Sequence, residues 1–154
     1  MNKSEAAVAC FNNEVRSCSQ AVLATFATEL GLDRPTALAV ATAFGGGMAR
    51  LGETCGAVTG AFMAIGLKHG ARGNLVEDGR VHDGENEKKE NTYRLVREFV
   101  DRFRTRHGSI RCKDILGCDL DTAEGRKAAE EKNLFRTVCP GFIRDAARIL
   151  EEIL

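Results

Sequence analysis

The sequence predicts an all-α fold: a compact helical bundle of about five to seven helices that forms a single domain over 1–154. Three observations lead to this prediction. Apolar residues recur every three or four positions along almost every segment, as they do on one face of a helix. No segment makes a convincing strand. Many of the glycines and both prolines fall where helices are expected to begin or end.

The first helix is predicted to begin at Ser4 as N-cap and to end at Gly31, because one apolar stripe runs along the whole segment. Asp33 is expected to cap a second helix. Pro35 lies in its first turn, where a missing N–H group is tolerated. The three glycines at 45–47 end this helix. A third helix is predicted at about 52–69 and a fourth at about 85–106, with a polar loop over 69–84 between them. A short helix is predicted at 109–117, with Ser109 as its N-cap. Two more helices are predicted to begin at the capping box at 121–124 and at Pro140.

Composition excludes several classes of function. Lysine and arginine together number 22, as do aspartate and glutamate, so the formal net charge is zero and nothing favours a nucleic-acid partner. No apolar stretch is long enough for a membrane span, and the N-terminal segment lacks the features of a secretory signal. We therefore expect a cytoplasmic protein whose six cysteines are thiols, metal ligands or transient redox partners.

The glycine-rich stretch GGGMARLGETCGAVTG, at 45–60, raises a question of its own. It follows a helix instead of a strand, and it lacks the Lys-Ser or Lys-Thr of a P-loop, so a nucleotide-binding loop is disfavoured. Gly52, Gly56 and Gly60 are four residues apart and would form one ridge on the third helix. Such a ridge permits either close packing of another helix or the approach of a cofactor or substrate. The three glycines are therefore candidate cofactor-binding residues.

The positions of the cysteines indicate thiol chemistry. Cys55, Cys112 and Cys139 lie at predicted helix N-termini, where unpaired N–H groups and the helix dipole favour a thiolate. Cys18 is placed in the middle of the first helix, on its apolar stripe. Cys112 and Cys118 are close enough in sequence for a bridge to be feasible. The chain has no C-x-x-C, which excludes thioredoxin-type motifs, zinc ribbons and C-x-x-C-H haem attachment.

Four segments in order, CSQAVLATFATELGL, FGGGMARLGETCGAVTGAFMAIGL, IRCKDILGCD and CPGFIRDAARIL, resemble the C_GCAxxG_C_C family of redox-active proteins. The resemblance extends from about position 10 to about position 150. It implies a small helical protein with redox or metal-binding activity. In the family label glycine precedes cysteine, whereas here Cys55 precedes Gly56. The implied characteristic cysteines are Cys18, Cys55, Cys112 and Cys139, with Cys10 and Cys118 as additional ones.

Three functional hypotheses follow. In the first, the protein carries out thiol–disulfide chemistry on a redox partner protein or a small thiol or disulfide. Cys55 is then the attacking thiolate, and Cys18, Cys112 or Cys139 resolves the mixed disulfide. In the second, the same four cysteines ligate an iron–sulfur cluster or another metal. In the third, the protein is a non-catalytic interaction module, and the glycine ridge is the surface of a homodimer or of another partner complex.

Overall fold

The computed structural model describes residues 1–73, 79 and 83–154, so that part of the predicted loop at 69–84 lies outside the described residues. The predicted all-α class is confirmed over this part of the chain, with more helices than the five to seven expected. No described helix is both long and apolar enough to cross a membrane. The α-helices are α1 (Lys3–Cys10), α2 (Cys18–Ala27), α3 (Arg34–Ala41), α4 (Gly56–His69), α5 (Asp83–His107), α6 (Cys112–Leu116), α7 (Ala123–Glu131), α8 (Leu134–Thr137) and α9 (Cys139–Ile153).

The prediction of one long first helix is wrong. α1 begins after Asn2, which forms a capping box with Glu5, so the N-cap is not Ser4. After α1 the chain continues as a π-helical segment, Phe11–Val15, and then breaks at Arg16, whose φ is 48°. Because two asparagines with low helix propensity lie in this segment, little favours its continuation as a regular α-helix.

Most of the other predicted helix boundaries lie within a few residues of the observed ones. Asp33 accepts a hydrogen bond of 3.0 Å from the Thr36 N–H and caps α3, as predicted. Gly31 and Gly117 end helices in the left-handed conformation. The predicted cap Ser109 is wrong, because α6 begins at Cys112, and the short helix α8 was not predicted.

Helices α2, α4, α5 and α9 surround the apolar core. α2 packs most extensively on α4, while α9 packs on α1, α2, α4 and α5. The two C-terminal phenylalanines of α5 stack with their ring centroids 6.0 Å apart. The largest fully buried apolar side chains are Phe99, Phe103, Leu23, Ile65, Ile143, Leu150, Val22 and Val58.

The close contact between α2 and α4 depends on two glycines. A Cβ atom at Gly60 would lie 2.9 Å from the Ser19 carbonyl oxygen and 3.0 Å from the Val22 Cβ. A Cβ atom at Gly56 would lie 3.0 Å from the Ser19 amide nitrogen. At these two positions the structure shows helix packing. Gly52, by contrast, lies outside α4 with a φ of 72°, so the prediction of a three-glycine ridge on one helix is wrong.

The segment between α3 and α4 contains a left-handed turn. The five residues 46–50 all have φ between 52° and 70°, although Met48, Ala49 and Arg50 are not glycines. Hydrogen bonds from the Arg50 N–H to the Gly45 carbonyl (3.0 Å) and from the Glu53 N–H to the Gly47 carbonyl (2.9 Å) close the turn. A left-handed conformation costs roughly 1–2 kcal/mol for each residue that carries a Cβ. The surrounding contacts therefore hold this turn against its local preference.

Candidate functional site

All four cysteines implied by the family resemblance line one cavity of about 1240 Å³. They come from four separate segments, and each lies at the start of a helix. Cys55 is the N-cap of α4, and the other three are the first residues of their helices: Cys18 of α2, Cys112 of α6 and Cys139 of α9. The prediction that Cys18 lies in the middle of a helix is wrong, because the chain breaks at Arg16 and restarts two residues later.

Backbone pairing brings Cys55 and Cys112 together. An isolated antiparallel bridge joins Thr54 to Arg111. The Cys55 N–H donates to the Ile110 carbonyl (2.7 Å), and the Cys112 N–H donates to the Glu53 carbonyl (2.6 Å). The Arg111 guanidinium reinforces this bridge through two hydrogen bonds, of 3.2 and 3.1 Å, to the Glu53 carboxylate.

Glycines make room for two of the cavity cysteines. A Cβ atom at Gly47 would lie 2.5 Å from the Cys112 Cβ, closer than real Cβ contacts allow. A Cβ atom at Gly56 would lie 3.1 Å from the Cys18 Cβ. Of the three candidate cofactor-binding glycines, Gly56 lines the cavity and Gly52 does not. Gly60 is occupied by its contact with α2, which leaves its helix face closed to a cofactor.

Burial dominates the acidity of Cys55 and Cys112. Loss of solvent raises the pKa of the Cys55 thiol to about 12, although the N–H groups of Ala57 and Val58 at the start of α4 act in the opposite direction. Burial likewise raises the pKa of Cys112 to about 12, and the neighbouring Cys55 and Cys139 add to the rise. This direction disfavours Cys55 as the activated thiolate, because desolvation outweighs the helix N-terminus; its role in catalysis stays a prediction.

Cys139 is the cavity thiol whose pKa is lowered. The interaction with the neighbouring Cys18 thiol lowers the pKa of Cys139, and the Cys139 backbone N–H contributes in the same direction. The same interaction, together with burial, raises the pKa of Cys18 well above its ordinary value. Cys18 is half-buried and Cys139 is buried. The pKa values of these two neighbouring thiols are therefore shifted in opposite directions.

The two additional cysteines lie outside the cavity. Cys10 is buried, and the Nη2 atom of Arg34 lies 3.5 Å from its sulfur. Burial raises the pKa of Cys10. Cys118 is buried as well, and it carries a free thiol, as does Cys112, the partner considered for it. No disulfide bond joins any two of the six cysteines in this structure.

The metal hypothesis requires the cysteines to be close enough to share an ion. Within residues 1–73, 79 and 83–154, no group of three or more histidine, cysteine, aspartate or glutamate side chains forms such a set. The four cysteines line the cavity as separate thiols, and ligation of an iron–sulfur cluster or another metal by Cys18, Cys55, Cys112 and Cys139 stays a prediction.

The sequence analysis did not identify the arginines of this cavity. Arg16, Arg50, Arg126 and Arg136 line it together with the cysteines. They come from four different segments, so no single motif contains them. One signal was available: Arg16 lies two residues before Cys18, and Arg136 lies three residues before its own cysteine.

A comparison with protein-family models matches residues 16–153 to the family described as "Putative redox-active protein (C_GCAxxG_C_C)". The chain belongs to this family. The match begins at Arg16, where the chain breaks before α2, and it contains all four cavity cysteines. Neither the curated proteins nor the solved structures contain a match to the chain. In this member of the C_GCAxxG_C_C family, Gly56, the residue that follows Cys55, packs against Cys18.

Proposed function

We propose that this protein is a thiol–disulfide redox protein in which Cys139 attacks and Cys18 resolves. The observation that carries the proposal is that Cys18 and Cys139, each the first residue of its helix, line the same cavity, and the interaction between them lowers the pKa of Cys139. The thiolate is the nucleophile in disulfide exchange, so the sulfur with the lower pKa reacts first. Its position at the first residue of α9, a helix of 15 residues, adds favourable N–H groups.

The reaction proceeds in two exchanges. The Cys139 thiolate attacks one sulfur of a substrate disulfide, RSSR, forming a mixed disulfide and releasing one thiolate, RS⁻. Cys18 then loses its proton and attacks the Cys139 sulfur, so that the mixed disulfide breaks and a second RS⁻ leaves. The protein ends with a Cys18–Cys139 disulfide, having transferred two electrons to the substrate; the Cys18 proton passes to one released thiolate, and the solvent supplies the proton that the other takes up. The cytoplasm that we expect around this protein supplies thiols that reverse the reaction.

Cys55 and Cys112 have a different role in this proposal. With pKa values near 12, both stay protonated at neutral pH. A protonated thiol is a poor nucleophile, so neither competes with Cys139 for the first attack. They line the same cavity as neutral thiols.

Serine variants test the proposal. Reduced protein is mixed with the neutral disulfide bis(2-hydroxyethyl) disulfide, and the products are identified by intact mass and peptide mapping. The wild type should form a Cys18–Cys139 disulfide. Cys139→Ser should abolish rapid exchange, whereas Cys18→Ser should accumulate the mixed disulfide on Cys139. The control Cys118→Ser, a buried position outside the cavity, should react like the wild type. Rapid exchange in Cys139→Ser would contradict the proposal.

The two other hypotheses predict different results. If the cysteines ligate a metal, protein purified without oxygen will contain iron or zinc in stoichiometric amounts, and an iron–sulfur cluster will absorb visible light. If the protein is an interaction module or a homodimer built on the glycine ridge, serine at all four cavity cysteines will leave complex formation unchanged.

A further inference from the structure

The mouth of the cysteine cavity is positively charged in a chain whose formal net charge is zero. Arg16, Arg50, Arg126 and Arg136 line the cavity, and Glu130 is the one acidic residue among its lining side chains. All four arginines are exposed. Clefts lined by one sign of charge concentrate ligands of the opposite sign. With four positive charges and one negative charge, the cavity therefore favours anionic ligands.

The ion pairing of these four arginines bears on what they can bind. Where the structure describes the side chains, none of the four forms an ion pair with a carboxylate of this chain. Among the described arginines outside the cavity, six, at 34, 94, 102, 106, 111 and 148, each pair with an aspartate or glutamate, whereas those at 97, 104 and 144 do not. The cavity arginines keep their guanidinium groups available for an external anion.

Backbone strain gives a second, independent observation. Five non-glycine residues of the described chain have positive φ. Four of these five line the cavity: Arg16, Ala49, Arg50 and Asn133. Residues held in sparsely populated conformations cost roughly 1–3 kcal/mol each and cluster at binding and active sites. Two of the four are the arginines themselves, so the chain holds guanidinium groups at the mouth against the local preference of its backbone.

From these observations we infer that the cavity takes a small anionic disulfide, in which the arginines bind carboxylates while the disulfide bond lies against the cysteines. The inference rests on the thiol–disulfide exchange proposed above and names its substrate class. The volume, about 1240 Å³, is slightly above the usual range of small-molecule sites, roughly 300–1,000 Å³. It accommodates a disulfide with two amino-acid-sized or short-peptide-sized halves. Bidentate guanidinium–carboxylate contacts orient both halves, which leaves the central sulfurs for exchange with Cys139.

Three disulfides of different charge test the inference; because the thiols they release also differ in pKa, each rate constant is divided by that of the same disulfide with free 2-mercaptoethanol, and these normalised values are compared. The three disulfides are 3,3′-dithiodipropionate (two negative charges), bis(2-hydroxyethyl) disulfide (neutral) and cystamine (two positive charges), each mixed with reduced wild-type protein at low salt. We expect second-order rate constants in that order, with the dianion at least about tenfold faster than the dication. The difference should shrink as salt is added. Equal rates for all three would overturn the inference and leave the proposed exchange intact.

Matched variants locate the effect. Arg50→Gln combined with Arg136→Gln should remove most of the preference for the dianion, measured in each protein as the ratio of the dianion rate constant to the neutral-disulfide rate constant. The control is Arg104→Gln, at an exposed position on α5 outside the cavity, and it should change neither rate. A dianion preference that survives the double substitution would overturn the assignment to this cavity.

A non-reactive ligand separates binding from chemistry. Suberate carries the same two carboxylates as 3,3′-dithiodipropionate, with carbon in place of the two sulfurs. It should bind the reduced protein in a calorimetric titration, and the Arg50→Gln/Arg136→Gln variant should bind it at least about tenfold more weakly. If no disulfide reacts but suberate binds, the proposed exchange fails and the anion site stands. If disulfides react and suberate does not bind, the anion site fails.

Discussion

Replacing Gly60 by alanine tests the helix contact that positions Cys18. The new Cβ would lie 2.9 Å from the Ser19 carbonyl oxygen, 3.0 Å from the Val22 Cβ and 3.3 Å from the Ser19 Cα. Two of these three atoms belong to the backbone of α2, which cannot rotate away as a flexible side chain could. Overpacking of this kind typically costs 1–3 kcal/mol. The substitution also removes a glycine from a helix interior, which stabilises by about 1 kcal/mol. The net expectation for Gly60→Ala is a loss of about 1 kcal/mol.

Gly66→Ala is the matched control on the same helix. A Cβ atom there meets no atom of the described residues within 4 Å, so only the gain in helix propensity applies. We expect Gly66→Ala to stabilise the protein by about 1 kcal/mol. The two variants should therefore differ by about 2 kcal/mol in the free energy of unfolding. For a chain of this size, that difference corresponds to roughly 4–8 °C in Tm.

Urea titrations of the two variants and the wild type provide the measurement. The slopes with denaturant should stay equal while the midpoints move in opposite directions. If Gly60→Ala were as stable as Gly66→Ala, α2 would not lie against α4 as described. The alternative in which the glycine face receives a cofactor would then regain support.

Two further predictions concern the loops around the core. Gly47→Ala combines a φ of 70° with a Cβ contact of 2.5 Å at the cavity wall, and should destabilise the protein by about 2–5 kcal/mol. The control Gly31→Ala, at a φ of 86° with open space around the Cβ, should destabilise it by only about 1–2 kcal/mol. Equal losses of the free energy of unfolding in chemical denaturation would refute the contact between Gly47 and Cys112. A hydrogen bond from Lys88 and two backbone N–H groups lowers the pKa of Glu85 from 4.5 to about 2. The stabilisation from Glu85 is thus complete above pH 4.5 and disappears as the pH falls through 2. Glu85→Gln should therefore destabilise the protein at pH 7 and match the wild type near pH 2. The exposed control Glu87→Gln should change the free energy of unfolding at neither pH.

The sequence predicted the helical class, and the four cysteines that it singled out line one cavity in the structure. The helix start at Cys139 could be predicted from Pro140, because this signal is local. The starts at Cys55 and Cys112 were predicted only to within a few residues, since α4 and α6 begin later than expected. The helix start at Cys18 could not be predicted, because it depends on the left-handed conformation of Arg16, which the neighbouring residues do not indicate. A stripe of apolar residues continues across this break, so periodicity alone cannot reveal it.

The order of the cysteine pKa values could not be predicted from the sequence, for a different reason. A helix N-terminus lowers a cysteine pKa, whereas burial raises it, and the balance depends on tertiary packing. At Cys55 burial exceeds the effect of the helix, and the pKa rises to about 12. At Cys139 the outcome is reversed by a donor, Cys18, that lies more than a hundred residues away in the chain. The cavity arginines were missed for the same reason, since they meet only in the folded structure.

The acidity of Cys139 tests the central claim most directly. Its titration can be followed in wild-type protein by pH-dependent alkylation with peptide mapping, and without any reagent by the chemical shift of labelled cysteine Cβ carbons. We predict that Cys139 titrates at a lower pH than Cys18, Cys55 or Cys112. We also predict that Cys18→Ala moves the Cys139 midpoint upward, because the donor is lost. A midpoint for Cys55 or Cys112 below that of Cys139, or an unchanged Cys139 midpoint in Cys18→Ala, would contradict the account.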